Sequence, residues 1–362
     1  MTSISNLIKN PHFFPDATRG VLKTIDSTDL QNTSTKGIVV NTYHLLFSPG
    51  SDILAKAGGI KKFMSYDGFV ISDSGGFQVF SLIRKNKKFG TMADEGINLT
   101  APNSPKIAFT PEMCIDTQFK IGSDIMICLD DCPKMDASRA EIEVSVERTI
   151  AWAKRCKDRF EDQVQIHNLA NKPLLFAVIQ GGAHKDLRKR CAEELLEIGF
   201  DGFGFGGWPM TRTNELDSEY LNYVSSLIPH NKPKYALGVG LPHEIAKCTK
   251  MGYKIFDCVL PTRDARHKRL YVFNEEPLKL TNLEDRGFFS YIYINKKEFE
   301  QDFSPISTFC RCYTCQNYSR AYINHLFRIK DVLALRLATI HNLFFYSSLM
   351  RRVSDLYSTI KA

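Results

Sequence analysis

Three cysteines fall within six residues, as Cys310-x-Cys312-x2-Cys315, and two histidines, His325 and His341, follow them. Cysteines this close in a chain without an export signal read as metal ligands rather than disulfide partners. Three thiolates and one imidazole close a tetrahedral zinc site, which stabilises structure and leaves no open position for catalysis. Spacing alone leaves the fourth ligand open between the two histidines. Either could equally be a packed or solvated side chain.

Carboxylates form a second set. Asp73 stands in ISDSGGFQVFSL, where a Ser-Gly-Gly turn lets the backbone approach a ligand, and Asp257 stands in FDCVLPTRDAR. Two such groups at one site can divide glycosyl transfer between a nucleophile and a general acid/base. The competing expectation is a helix cap for one and an ion pair with Arg263 or Arg266 for the other.

A third set could read a flat heterocycle. Asp130 offers two acceptor oxygens, Gln180 one acceptor and two donors, and Gly206-Gly207 backbone N–H groups unobstructed by side chains. This mixture matches a guanine-like edge, whose N1–H and 2-amino group seek a carboxylate and whose O6 seeks donors. Phe77 and Leu237 could wall such a ring, although an apolar residue near a glycine turn is more often core. Downstream of Asp257 lies a basic run, Arg263, Arg266, Lys268 and Arg269. It suits contacts to a nucleic-acid backbone, or it is simply a solvated face.

These residues need elements to hold them. Apolar runs rich in Val, Ile and Phe recur at 37–46, 69–76, 124–131, 174–182, 200–207, 235–240 and 253–261, each ending in small or polar residues. They predict buried strands. A Thr-Pro-Glu start at 111–121 and amphipathic stretches at 137–160, 185–198, 214–228 and 242–251 predict crossover helices. Seven or eight such units predict an α/β fold, a (β/α)8 TIM barrel, whose chemistry sits at the C-terminal strand ends. Asp73, Asp130, Gln180, Gly207 and Asp257 all fall at run ends, although Gly and Asp also simply terminate strands. From about 300 the texture changes to clustered cysteines and long helical stretches. This predicts a barrel over 1–300 and a zinc-binding subdomain with C-terminal helices over 301–362. The polar stretch 84–107 predicts an insertion over the barrel mouth.

The chain has 362 residues, 43% hydrophobic and 24% charged, which excludes a disordered chain, a collagen or a coiled coil. Its 47 basic against 40 acidic residues leave +7, a surplus that permits a polyanionic partner without requiring one. The start, MTSISNLIKNPHFF, lacks a signal-peptide pattern, and plain apolar runs such as PLLFAVI are too short to span a bilayer. A cytoplasmic protein with no membrane partner is expected.

Together the motifs resemble the tRNA-guanine transglycosylase (queuine tRNA-ribosyltransferase) family. The matching stretches are NTYHLLFSPG, AGGIKKFMSYDGFVISDSGGFQVFSL, TPEMCIDTQFKIGSDI, LDDCP, AVIQGG, FDGFGFGG, GVGLP, FDCVLPTRDAR, CRCYTCQNYSRAYINHLF and TIHNLFFY, in family order. The resemblance implies exchange of the wobble guanine (position 34) of tRNA for a 7-deazaguanine base, queuine or its aminomethyl precursor. It implies Asp257 as nucleophile and Asp73 as general acid/base. Asp130, Gln180 and Gly207 become base readers, Phe77 and Leu237 stacking walls, and Arg263 and Arg266 RNA contacts. It implies one structural Zn2+ on Cys310, Cys312, Cys315 and His341, selecting His341 over His325, and a homodimer sharing one tRNA. Rival expectations are a non-catalytic tRNA-binding partner subunit of the same fold and a base-exchange enzyme acting on DNA.

The sequence departs from the family pattern after Gly207. A Leu and a Gly-Glu-containing turn are usual there; this chain has Trp208, Pro209 and Met210, with Arg212 at the usual glutamate place. That turn normally faces the 7-substituent of the incoming base. The N-terminus lacks some leading strands often found in the family. No RNA-binding module like that of the archaeal branch follows the zinc helices, which favours the bacterial or eukaryotic type.

Overall fold

A computed structural model describes residues 4–100, 107–169 and 172–357. Eight strands build the main sheet: β1 (His12–Pro15), β2 (Gly37–Asn41), β3 (Phe69–Asp73), β4 (Ile125–Ile127), β5 (Leu174–Ile179), β6 (Gly202–Phe205), β7 (Lys234–Ala236) and β8 (Ile255–Cys258). Their order across the sheet is β1-β8-β7-β6-β5-β4-β3-β2, a nearly closed α/β barrel sheet. Pairing is parallel at β1–β8, β6–β7, β5–β6, β4–β5 and β3–β4. All residues of β2, β4 and β6 are buried, which explains their continuous apolar runs.

β2 to β8 lie on the runs read from the sequence. β1 was not among them. Its four residues, HFFP, are too short for a periodic signal and end in proline, and its register is set by β8, with Phe14 opposite Asp257.

The chain divides into two compact units: Thr18–Gly20 with Val39–Leu237, and Met1–Ala17 with Val21–Ile38 and Gly238–Ala362. In the first, helices alternate with β3 to β7. Pro111–Ile121 is capped by Thr110 Oγ1 and carries proline in its first turn. Arg139–Ile166 opens on a capping box between Ser138 and Glu141. The polar insertion forms a three-stranded antiparallel sheet of Gly90–Ala93, Gly96–Leu99 and Ile107–Phe109; residues 101–106 of that expectation lie outside the described residues.

In the second unit, Leu260–Arg266 follows β8, and an antiparallel ribbon pairs Arg269–Phe273 with Phe289–Tyr293. Helices Tyr313–Asn317, Arg320–Arg328 and Val332–Tyr357 complete it. Ala265, Leu270, Ile294, Ile306, Ile323 and Leu337 share one buried cluster there. Val332–Tyr357 is long and apolar enough to cross a membrane, unlike the plain runs considered in the sequence. It is packed as a core helix, however, and buries Thr339, His341 and Asn342. Asn342 donates to Pro261 O and Arg269 O, both at 3.0 Å, and accepts from Tyr271 N at 3.1 Å. Its polar side chains are thus satisfied within its own protein, as expected of a core helix.

Candidate active site and metal centre

In the first unit, Asp73 closes β3 and is held at both ends. Asn41, the last residue of β2, donates Nδ2 to Asp73 Oδ2 at 2.9 Å. Thr42 Oγ1 donates to Asp73 O at 2.6 Å. Asn41 Oδ1 meanwhile accepts from His44 N at 3.2 Å, capping the short helix Thr42–Leu45. One side chain therefore fixes a helix start and orients a carboxylate. Asn41 was not among the expected site residues, although a cap residue directly after an apolar run is itself a signal.

Asp130 and Gln180 are brought together. Both are buried, and Gln180 Nε2 donates to Asp130 Oδ2 at 2.7 Å. The adjacent Asp131 is also buried but pairs with Arg148 Nη1 at 2.6 Å. Burial, reinforced by the Asp131 charge and opposed by the Gln180 hydrogen bond, pushes the Asp130 carboxyl up to about 6. Gln180 Oε1 is buried without a hydrogen-bond donor. A buried orphan acceptor costs roughly 1–3 kcal/mol, so this corner is complete only when an N–H group reaches it.

Gly206 lies tight against the same corner. A Cβ there would sit 2.5 Å from Ile179 O and 2.7 Å from Gln180 Cδ, so only glycine lets the two strand ends approach. Gly207 leaves Gln180 Oε1 3.7 Å from its own hypothetical Cβ. Leu237 follows β7 and leans over β6, where its Cδ1 would come within 2.5 Å of a Cβ on Gly204. Phe77 lies in the helix Gly76–Lys85, 45% exposed, and stacks on Trp208, 50% exposed, with centroids 6.1 Å apart and planes 22° apart. Trp208 is thus an aromatic neighbour of a predicted wall. The turn beyond it closes through a Met210–Leu216 bridge, and Arg212 is exposed.

In the second unit, Asp257 is the third residue of β8, and Gly238 N donates to its Oδ1 at 3.0 Å. Arg263 and Arg266 lie on the following helix, Leu260–Arg266. Arg263 is half-exposed, 3.9 Å from Asp264, and Arg266 Nη1 is buried without an acceptor. The helix itself is anchored: Asp264 accepts from Arg269 Nη2 at 2.7 Å and from Tyr271 Oη at 2.5 Å, and Pro261 O takes the Asn342 hydrogen bond. Both arginines therefore sit on an anchored helix, which neither basic-run counting nor periodicity could indicate.

The same unit gathers the metal ligands. The ligand atoms of Cys310, Cys312, Cys315 and His341 all lie within 4.8 Å of one another. His341 Nδ1 is 3.7, 3.7 and 3.3 Å from the three sulfurs. Zinc with its usual Zn–S and Zn–N bonds in tetrahedral geometry sets sulfur and nitrogen roughly 3.6 Å apart, so the donor set fits that ion. His341 Nε2 bonds Tyr271 O at 2.7 Å, which fixes the ring and its tautomer. His325 lies on the helix Arg320–Arg328 and is not in the group.

A parallel barrel sheet and a Cys3His cluster that could hold a metal ion define an α/β barrel with a candidate metal site. The chain belongs to the queuine tRNA-ribosyltransferase family, whose model matches residues 1–355. It is 38% identical over 350 residues to a queuine tRNA-ribosyltransferase of Caldanaerobacter subterraneus subsp. tengcongensis, covering 96% of this chain and 86% of that protein. It is 38% identical over 346 residues to one from Staphylococcus aureus, covering 95% and 84%. A Solidesulfovibrio magneticus relative of the same name is 37% identical over 354 residues, covering 97% and 88%.

Proposed function

We propose that this protein is a tRNA-guanine transglycosylase that exchanges the wobble guanine for a 7-deazaguanine base through a covalent aspartyl-ribosyl intermediate. The observation that carries this reading is family membership along residues 1–355 with both carboxylates retained at barrel strand ends, Asp73 on β3 and Asp257 on β8. An Asp257 oxygen attacks C1′ of the ribose, the C1′–N9 bond breaks, and guanine leaves with a proton given by Asp73. N9 of the incoming base then attacks C1′, the ester bond breaks, and Asp73 takes the N9 proton. Two inversions return the sugar to its starting configuration.

Gly238 N–H orients the nucleophile in this scheme, and Asn41 orients the acid/base. Asp130, Gln180 and Gly207 read the base, Phe77 and Leu237 wall it, and Arg263 and Arg266 contact the RNA. A wobble base is unpaired in free tRNA, so extruding it costs a few kcal/mol at most. Zinc on Cys310, Cys312, Cys315 and His341 would supply structural cross-linking alone, because all four positions are protein ligands. Residues 301–362 are the zinc-binding appendage, the working form is a homodimer, and the location is the cytoplasm. The incoming base is queuine or its aminomethyl precursor.

Labelled-guanine exchange into tRNA carrying a wobble G tests the proposal. Wild type incorporates label, and Asp257→Ala incorporates none. Equal exchange by both proteins would remove Asp257 from its role. Exchange by neither would favour a non-catalytic partner subunit, and exchange into a DNA control would favour the DNA enzyme. Trapping the stalled adduct and mapping its linkage to residue 257 tests the ester directly.

A further inference from the structure

One side chain beneath the base-reading corner has no role in the scheme above. Arg188, on the helix Lys185–Ile198, is 3% exposed. Its guanidinium spans three backbone carbonyls: Nε donates to Gly182 O at 2.7 Å, Nη1 to Ile179 O at 3.1 Å and Nη2 to Gly206 O at 3.2 Å. Its planar group lies 4.3 Å from the centroid of Phe205, the last residue of β6. Ile179 O also accepts from Gly206 N at 3.0 Å, so Arg188 ties the ends of β5 and β6 through an oxygen they already share.

The carbonyls matter because of what sits on the far side of each peptide. Gly206 C=O belongs to the amide whose N–H is that of Gly207, and Ile179 C=O to the amide whose N–H is that of Gln180. A trans peptide points its N–H away from its C=O, so the group polarised lies opposite the arginine. A cation on the oxygen draws electron density through the amide and makes the N–H a stronger donor, and burial amplifies this.

We propose that Arg188 is a positioning residue for base recognition: by holding Gly206 O, it fixes and polarises the Gly207 N–H that donates to the 6-carbonyl oxygen of the base. The inference rests on the reading of Gly207 as a base reader and extends it to the chemistry beneath. A fixed cation bonded to that peptide makes the site select for a strong acceptor at the 6-position of a purine-like ring. Replacing the guanidinium removes both the tie between strand ends and the polarisation.

The test is competition of 6-thioguanine against radiolabelled guanine at equilibrium, using the full-length protein. 6-Thioguanine keeps N1–H and the 2-amino group and replaces the oxygen with a weaker acceptor. Wild type prefers guanine. In Arg188→Met the preference falls roughly two-fold, the size expected when one neutral hydrogen bond loses its cooperative strengthening and its fixed geometry. In Arg188→Lys, which keeps the charge but spans fewer carbonyls, it falls by less. The lysine variant supplies the reading if the methionine variant does not fold. A structural role alone would weaken both ligands together and leave the preference unchanged, and that result overturns the proposal. Absence of any preference in wild type would instead overturn the Gly207 reading, and the role of Arg188 with it.

Discussion

At the Cys3His cluster every donor points inward, and the outward nitrogen of His341 is already bonded to Tyr271 O. At the Asp130–Gln180 corner the reverse holds: an amide oxygen is buried with no donor, and a carboxyl is pushed up to about 6. The first arrangement could hold one metal ion among its four ligands. The second would be completed by a ligand bringing N–H groups of its own, as the proposed function requires. Structural sites close upon themselves; recognition sites keep unsatisfied groups at a cost in stability that the ligand relieves. Disturbing the two regions should therefore have opposite consequences.

The largest effect is expected at the metal cluster. Cys312 is 2% exposed, and its backbone and sulfur cap the helix Tyr313–Asn317. In Cys312→Ser, zinc falls from about one equivalent per chain towards none, and Tm drops by on the order of 10 °C. Metal analysis and thermal melting check this together. A variant that keeps wild-type Tm without metal would break the contrast, because the cluster would then carry no structural load. His325→Ala should leave the metal content unchanged.

An intermediate effect is expected at Asp130. With its carboxyl at about 6, the ionised form, which in the proposed function accepts from N1–H and the 2-amino group, is present above that pH and lost below it. Guanine affinity should therefore weaken as pH falls through about 6. Asp130→Asn should lower affinity on the order of 10- to 100-fold at neutral pH, the worth of a charged hydrogen bond, and abolish the step. Its Tm should change little, since the buried charge it removes is one the fold does not favour. An Asn variant with wild-type affinity would place base recognition elsewhere.

The barrel was legible because buried parallel strands write continuous apolar runs, and seven such runs matched β2 to β8. β1 was hidden by its brevity: four residues carry no period, and β8 supplies its register. The helix Gly76–Lys85 was hidden behind the Ser-Gly-Gly turn, since Gly75 at φ +84° has no sequence mark beyond glycine itself. The Cys3His spacing was visible because its ligands are rare residue types; spacing alone left His341 and His325 open, since His341 returns from 26 residues beyond Cys315, and the family resemblance supplied the choice. Asn41 and Arg188 escaped for the same reason. Their work is done through hydrogen bonds across 32 residues and across 18, and such contacts leave no local pattern.

The smallest effect is expected at the aromatic pair, where the comparison is sharpest. Phe77 and Trp208 are stacked yet half-exposed, so their faces are neither closed like the cluster nor buried like the Asp130 corner. Such a pair contributes about 0.5–1.5 kcal/mol beyond area burial, and little of it serves folding when both rings remain in water. Trp208→Ala should therefore leave Tm nearly unchanged and raise KM for the base about two- to ten-fold, with kcat preserved. The distribution of that loss decides which part of the ligand Trp208 meets. An equal loss for guanine and for 7-substituted bases means that Trp208 supports Phe77 as a wall for the ring. A loss confined to the 7-substituted base means that the Trp208-Pro209-Met210 turn faces the substituent. In that case Arg212 and the proline, which lacks an N–H, should favour a substituent that is not a bare ammonium. Competition between queuine and the aminomethyl base in wild type and Trp208→Ala separates the two outcomes.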